Sequence, residues 1–356
     1  KSFDGQVARP PRELADALRE YVCVRVTNMA GVDLSVYRFD YDLTFVALLM
    51  NADGTIYHTY GGRDWTDPLS HLSTSSFARV LLETLIQHER RGDAPAPKRE
   101  AKRTVEEFPK FRQGKKPDCF HCHMVHDGEI DALRQRRRFR TEDAWVWPDP
   151  AQAGLVLDRD GQTVVAEVRG GSGAAKAGLK PGDRIVRVGG AVVRTFGDGQ
   201  RALHDAPGSA TALEVAWERA GEEHSAALRL GKDWKEPTPE VFAWRPIKWN
   251  LGPRPGFGGP RLDADELKRA GLPADAFAMR VNYIVTWGDH AHTGRNAAHA
   301  GLRKGDLVLS VGGKDDFTGP EHFHAWFRLT QKEGRTIPIE VLRAGKRETL
   351  RMKVVD

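Results

Sequence analysis

Three cysteines in 356 residues are too few for a disulfide scaffold. No apolar run approaches the roughly 18–20 residues of a membrane-crossing helix, and the longest, Leu43 to Met50, is strand-sized. There is no phosphate-cradling glycine loop, no dinucleotide fingerprint and no nucleic-acid reading motif. Gly170-Gly171-Ser172-Gly173 superficially looks like a nucleophile loop, but no early His/Asp pair stands in a context to serve it. These gaps argue against a membrane-spanning chain, a nucleotide enzyme, a nucleic-acid reader and a serine hydrolase. The net charge of +5 is concentrated between Lys98 and Arg140, in an apparent connector, so an acidic redox partner or acidic lipid suits it better than nucleic acid.

What is present begins with Cys119-Phe120-His121-Cys122-His123. C-x-x-C-H is the spacing of a c-type haem attachment site. Cys119 and Cys122 supply two thiols for two vinyl groups, and His123 is placed to ligate the iron. Met124, His121 and His126 lie too close in sequence to reach the opposite face of the haem. Two other uses stay open. Cys119 and Cys122 form a redox dithiol, a use that wants the first thiol at a helix start, and Lys115, Lys116 and Pro117-Asp118 just upstream are compatible with it. Alternatively Cys119 and Cys122, with His121, His123 and His126, hold copper or zinc. The chain starts at Lys1, and covalent haem is attached outside the cytoplasm. Together these set the expectation of a periplasmic or secreted protein whose signal peptide has been removed.

Upstream, Pro10-Pro11 opens a short helix over Arg12 to Glu20 with Leu14, Ala17 and Leu18 on one face. Tyr21 to Val26 alternates as a strand, in which Cys23 reads as a buried structural thiol. Leu43 to Met50 reads as a central strand. Asn51-Ala52-Asp53-Gly54 has hairpin chemistry, Thr55 to Tyr60 returns, and Ser75 to Arg90 is an amphipathic helix. The passage Leu43 to Arg63 resembles the central strand, hairpin and return strand of a thioredoxin-like domain. The resemblance covers roughly residues 1–95 and implies that fold without its chemistry: the region has no C-x-x-C, and no proline precedes Leu43-Thr44. Residues 94–116 read as a solvated connector. Ile130 to Arg140 reads as a basic helix, with Arg134, Arg136, Arg137, Arg138 and Arg140 available to pair with carboxylates such as haem propionates. Trp145 and Trp147 could wall an apolar pocket, but near a domain start they read first as simple packing.

From Ala153 the chain repeats itself. Ala177-Gly-Leu-Lys-Pro-Gly-Asp183 and its strand to Gly190 return as Ala300-Gly-Leu-Arg-Lys-Gly-Asp306 and its strand to Gly313. Gly178 and Gly301 suit helix ends. This wording strongly resembles the PDZ domains of bacterial periplasmic proteases, and implies extended peptides added to a sheet edge with the carboxylate held by a backbone loop. Gly154-Leu155-Val156 stands at that loop in the first module, and Gly256-Phe257-Gly258-Gly259 in the second, where the insertion Arg261 to Phe277 follows. The histidines 290, 292, 299, 322 and 324 offer donors for a metal, but His322 and His324 are two apart and face different sides of a helix.

The whole plan is similar to a family of bacterial thioredoxin-like/PDZ proteins, some of which are selenoproteins. In such a family Cys119 is the position where a thiol would replace a selenol. The expected fold is multidomain, α/β plus mainly β: a thioredoxin-like domain over 1–95, a basic linker with a short helical C-x-x-C-H segment over 96–150, and two PDZ-like β-rich domains over 151–232 and 245–356. The expected function is an extracytoplasmic redox or electron-transfer protein with one covalent haem c, docking partners or peptide C-termini through its PDZ modules. The alternatives are a thiol or selenol oxidoreductase using Cys119 and Cys122, and a PDZ scaffold or copper/zinc-binding protein without catalysis.

Overall fold

Pro10 and Pro11 divide the first helical stretch, because a proline donates no N–H and fixes the chain extended before a helix start. Helix α1 spans Phe3–Ala8 and α2 spans Arg12–Leu18, which buries Leu14 and Ala17. Strands β1 (Ala47–Met50) and β2 (Ile56–Tyr60) form an antiparallel hairpin, pairing Ala47 with Tyr60 and Leu49 with His58. The Gly54 N–H donates to the Asn51 carbonyl at 3.0 Å, and Gly54 sits at φ +95°, where a side chain would be strained. Helix α3 (Thr74–Arg90) starts at Ser73, whose hydroxyl accepts from the Ser76 N–H. It presses Phe77, Val80 and Leu81 onto Phe3, Leu14 and Tyr60. These coordinates are a computed structural model, which describes residues 3–92, 95–112 and 117–356.

Two expectations fail here. Tyr21 to Val26 keeps its alternation but pairs with no strand among the described residues, leaving Val22 94 % and Val24 81 % exposed. Cys23, expected buried, is exposed. Period-two alternation fixes which side chains share a face, but a strand also needs a neighbour to bond to. Without that neighbour, β1 lies in a two-stranded sheet rather than at a sheet centre. These residues build a hairpin backed by one helix, and the thioredoxin-like sheet expected over 1–95 is not formed among the described residues.

The connector is not merely solvated. Its 3₁₀ turn Val105–Glu107 and helix α4 (Pro109–Arg112) bury Val105, Phe108 and Phe111 with Met29, Leu34 and Tyr41. Helix α5 (His123–Gln135) starts at the C-x-x-C-H motif and stops five residues before the end expected for the basic helix. Gly128 is required in it: a Cβ there would lie 2.4 Å from the Phe108 ring.

The first module contains β3 (Leu155–Leu157), β4 (Val165–Val168), α6 (Gly173–Lys176), β5 (Arg184–Val188), β6 (Ala191–Val192), α7 (Phe196–Asp205), β7 (Ala212–Arg219) and β8 (Glu222–Arg229). Strands β3 and β4 pair alone, and the second sheet runs β6-β5-β7-β8. The module is joined to the N-terminal hairpin. The Thr59 N–H donates to Asp198 at 2.8 Å, and the Thr195 hydroxyl donates to the Thr59 carbonyl at 2.6 Å. His58 Nδ1 meets Asp198 at 2.7 Å. Burial pulls the His58 pKa down, but Asp198 outweighs it and the net shift is upward. Residues up to Pro237 form one compact unit, and Thr238–Asp356 form a second.

The second unit holds α8 (Pro239–Phe242), β9 (Phe257–Gly258), α9 (Ala264–Arg269), β10 (Met279–Arg280), β11 (Tyr283–Ile284), α10 (Ala291–His299), β12 (Leu307–Val311), α11 (Pro320–Thr330), β13 (Thr336–Arg343) and β14 (Lys346–Lys353). Its sheets are β10-β12-β13-β14 and β9-β11. The insertion Arg261 to Phe277 supplies α9, whose Leu267 packs with Leu262, Ala278 and Leu309. No helix among the described residues is long and apolar enough to cross a membrane.

Candidate functional site

The repeated motif builds the same clamp twice. After α6 and α10 the chain turns at Gly178 (φ +84°) and Gly301 (φ +97°). Asp183 and Asp306 then sit buried, each gripped by both arms of one guanidinium: Arg219 at 2.7 and 2.6 Å, Arg343 at 2.8 Å on both oxygens. Each arginine also donates to the glycine carbonyl of its own turn, Gly178 or Gly301. The Asp of A-G-L-x-x-G-D is therefore a structural group as well as a turn residue.

Gly154 opens β3 at φ +95°, and a Cβ there would lie 2.2 Å from the Ser172 hydroxyl oxygen. The Arg169 N–H donates to the Gly154 carbonyl at 3.0 Å, and Leu155 pairs with Val168, Val156 with Glu167. In an antiparallel ladder bonded pairs alternate, so the N–H and C=O of Leu155 point away from β4. No strand lies on that side among the described residues. In the second module Gly256 (φ +77°) stands in the same place, and its carbonyl accepts from the Val285 N–H at 2.8 Å.

A feature that the sequence reading missed recurs beside both loops. Trp147 lies seven residues before Gly154, and Trp249 seven before Gly256. Each packs on the fifth and ninth residues of the helix facing its loop. In α7 these are Gln200 and His204: Gln200 donates to the Trp147 carbonyl at 3.2 Å, the Trp147 N–H donates to His204 Nδ1 at 3.3 Å, and the rings stack at 4.4 Å. In α11 they are His324 and Arg328, which lie 4.9 and 5.1 Å from the Trp249 ring. The matching Trp-to-Gly interval is the signal that would have found this pair.

Cys119, Cys122 and His123 stand together at the start of α5. Their thiols are unbridged; Cys119 faces the Thr27 carbonyl at 3.8 Å and Cys122 the Leu43 carbonyl at 3.9 Å. Burial, with Asp42 and Asp40 nearby, pushes the Cys122 thiol up, which opposes thiolate chemistry at that sulfur. His121 and His123 are exposed and their rings lie parallel, 5.6 Å apart. His126 turns inward instead. It meets Asp42 at 3.3 Å, and with Asp40 the three offer donor atoms within 4.8 Å of one another. Burial pulls the His126 pKa down; the Asp42 charge and hydrogen bond, with Glu129 and Asp40, more than offset it and the net shift is upward. An imidazole with two carboxylates is a donor set for zinc or a similar ion. The structure thus separates His126 from His121 and His123 and joins it to two acids that lie 84 and 86 residues away in sequence.

The second module's histidines form no group of three that could hold a metal among the described residues. His322 accepts from the Thr318 N–H at 3.1 Å and meets Glu240 at 3.0 Å, whereas His324 lies against Trp249.

Residues 164–216 match the PDZ domain family. Two similar curated proteins carry the name "putative zinc metalloprotease". One, from Agrobacterium fabrum, is 55 % identical over 60 residues, 17 % of this chain and 15 % of that protein. The other, from Mesorhizobium japonicum, is 57 % identical over 42 residues, 12 % of this chain and 11 % of that protein. The 356 residues contain no H-E-x-x-H, the helical zinc site of many metalloproteases. A PDZ domain is present in a mixed α/β chain with small sheets.

Proposed function

We propose that the chain is a peptide-docking protein whose first module takes an extended peptide with a free C-terminus. The observation that carries this reading is the loop at Gly154 leading into β3, whose outer edge presents the N–H and C=O of Leu155 without a partner strand. An added strand satisfies those groups, and the terminal carboxylate lies at Gly154-Leu155-Val156. The test is fluorescence anisotropy of the full chain with a labelled peptide library, each peptide as free acid and as C-terminal amide. Saturable binding of acids with amides at least about tenfold weaker supports the reading, a factor worth about 1.4 kcal/mol. Equal binding of acid and amide, or none, defeats it.

A second reading rests on the buried group Asp40, Asp42 and His126. This group holds a divalent ion, zinc first, as a structural or regulatory site beside the docking modules. The name of the two relatives includes zinc, which agrees with the choice of ion. Elemental analysis after dialysis, with His126→Ala as the control, decides it: zinc retained by the parent and lost in the variant is the expected result. The same segment has a competing use, haem attached through Cys119 and Cys122 with His123 on the iron in a secreted or periplasmic protein. An absorption spectrum after expression with a haem-attachment system separates the two.

A further inference from the structure

The second module has an open-sided cavity of about 310 Å³ lined by Trp249, Phe257, Tyr283, Trp287, His324 and Arg328, among others. Two of its polar groups are short of partners. Arg328 is 7 % exposed and His324 is 4 % exposed; Arg328 Nε and His324 Nδ1 are buried without a hydrogen bond. Arg328 donates to the Leu251 carbonyl and lies over the Trp249 ring, but no carboxylate pairs with it among the described residues. The neighbouring Arg254 differs, because Asp356 holds it at 2.8 Å. A buried guanidinium is costly unless an anion meets it. Burial also lowers the Arg328 pKa, to about 10, and that of His324, to about 3, so at neutral pH the arginine is charged and the imidazole is not. Among aromatic walls the cavity therefore holds one buried guanidinium that no carboxylate of the described residues pairs with, while Asp289 and His290 of the lining are exposed to solvent.

A Cβ placed on Gly258 of β9 would lie 2.4 Å from the Tyr283 hydroxyl and 3.0 Å from His324 Nε2. Tyr283, the cross-strand partner of Gly258, and His324 thus cover this face of the strand and wall the cavity. A cavity of this size suits a compact occupant. For scale, an apolar cavity of about 150 Å³ holds benzene.

We propose that this cavity binds a small aromatic monocarboxylate, its ring among Trp249, Tyr283 and Trp287 and its carboxylate on Arg328. One carboxylate matches the one buried guanidinium, whereas a phosphate dianion exceeds it, the other lining arginine, Arg254, being held by Asp356. The proposal does not depend on peptide binding by the first module.

The test is calorimetric titration of the full chain with phenylacetate, with phenylacetamide, with inorganic phosphate, and with a short peptide ending in phenylalanine as its free acid. Phenylacetate should bind saturably, and the amide at least about tenfold more weakly. Arg328→Gln should weaken phenylacetate by a similar factor and leave the amide unchanged. Trp287→Ala removes a wall residue that is 58 % exposed, so the fold has little reason to respond; this variant should also weaken phenylacetate, and with the acid-against-amide comparison it decides the matter where Arg328→Gln does not fold. Equal affinity for acid and amide, binding of the peptide alone, displacement by phosphate at the same concentration, or wild-type affinity in either variant would each overturn the proposal.

Discussion

The two modules share a frame and differ in what they do with its groove. Each closes a turn on glycine, clamps a buried aspartate with an arginine from a facing strand, and lays a tryptophan on the fifth and ninth residues of one helix. In the first module those residues, Gln200 and His204, bind both backbone groups of Trp147, which is 5 % exposed, and β3 keeps an open edge. In the second, His324 and Arg328 lie against the Trp249 ring, which is 42 % exposed, and His324 presses on β9. The difference teaches that the A-G-L-x-x-G-D motif specifies scaffold alone. Two helix positions and one loop neighbour are where the two grooves differ.

The largest effect should fall on what the modules share. Arg219→Ala and Arg343→Ala each take the guanidinium from a buried carboxylate, leaving it the backbone N–H of Lys180 or Arg303, and should give the largest losses of stability. Chemical denaturation followed separately for the two units should show matching losses; a loss in one module alone would break the equivalence of the clamps. Next comes the tryptophan pair. Trp147→Ala removes a buried ring and should cost about 3 kcal/mol, whereas Trp249→Ala, at a half-open site, should cost about 1 kcal/mol or less. Equal costs would mean that the two rings are used alike.

The clamps were half legible. The repeated Gly-Asp wording located both turns, but the partner arginines lie 36 and 37 residues downstream and carry no local signal. The hairpin at Asn51 to Gly54 was legible because its chemistry is confined to four residues. Tyr21 to Val26 was misread because alternation is a property of one segment and pairing a property of two. Asp40, Asp42 and His126 were invisible as a group for the same reason: only folding brings α5 onto the loop before β1. The interval from Trp147 to Gly154, repeated from Trp249 to Gly256, was on the page in the sequence, hidden by the unlike residues between.

Acid should distinguish the units by a smaller margin. Burial lowers the pKa of His71 to about 4 and of His204 to about 4 in the first unit, and of His324 to about 3 in the second. An unfolded histidine takes up its proton near pH 6.5. Below that pH the unfolded chain binds more protons, so stability is lost as pH falls from about 6.5 toward 4. His71 stacks on Phe196 at 3.6 Å, so His71→Phe keeps the packing and removes the titration. The stability lost by the first unit between pH 7 and pH 4.5, measured by urea denaturation, should shrink by roughly 2–3 kcal/mol. An unchanged loss would mean that His71 is solvated in solution.

The smallest effect sharpens the contrast at the loops themselves. Arg169 and Val285 hold equivalent places, each donating its N–H to the carbonyl of the loop glycine. The first module thus carries a positive charge next to its Gly154 loop, where the second carries an isopropyl group and keeps its buried unpaired guanidinium on the helix at Arg328. Arg169 is exposed and is in no ion pair among the described residues, so Arg169→Glu should leave stability within about 0.5 kcal/mol. It should weaken an acid-terminated peptide at the first module by about 1 kcal/mol, because exposed charge pairs rarely give more. The loss should fade as salt rises and the Debye length shortens. A peptide that ignores the charge reversal, or whose loss does not fade with salt, would place its carboxylate away from Gly154 and remove the reason for assigning the two grooves different ligands by their nearest cation.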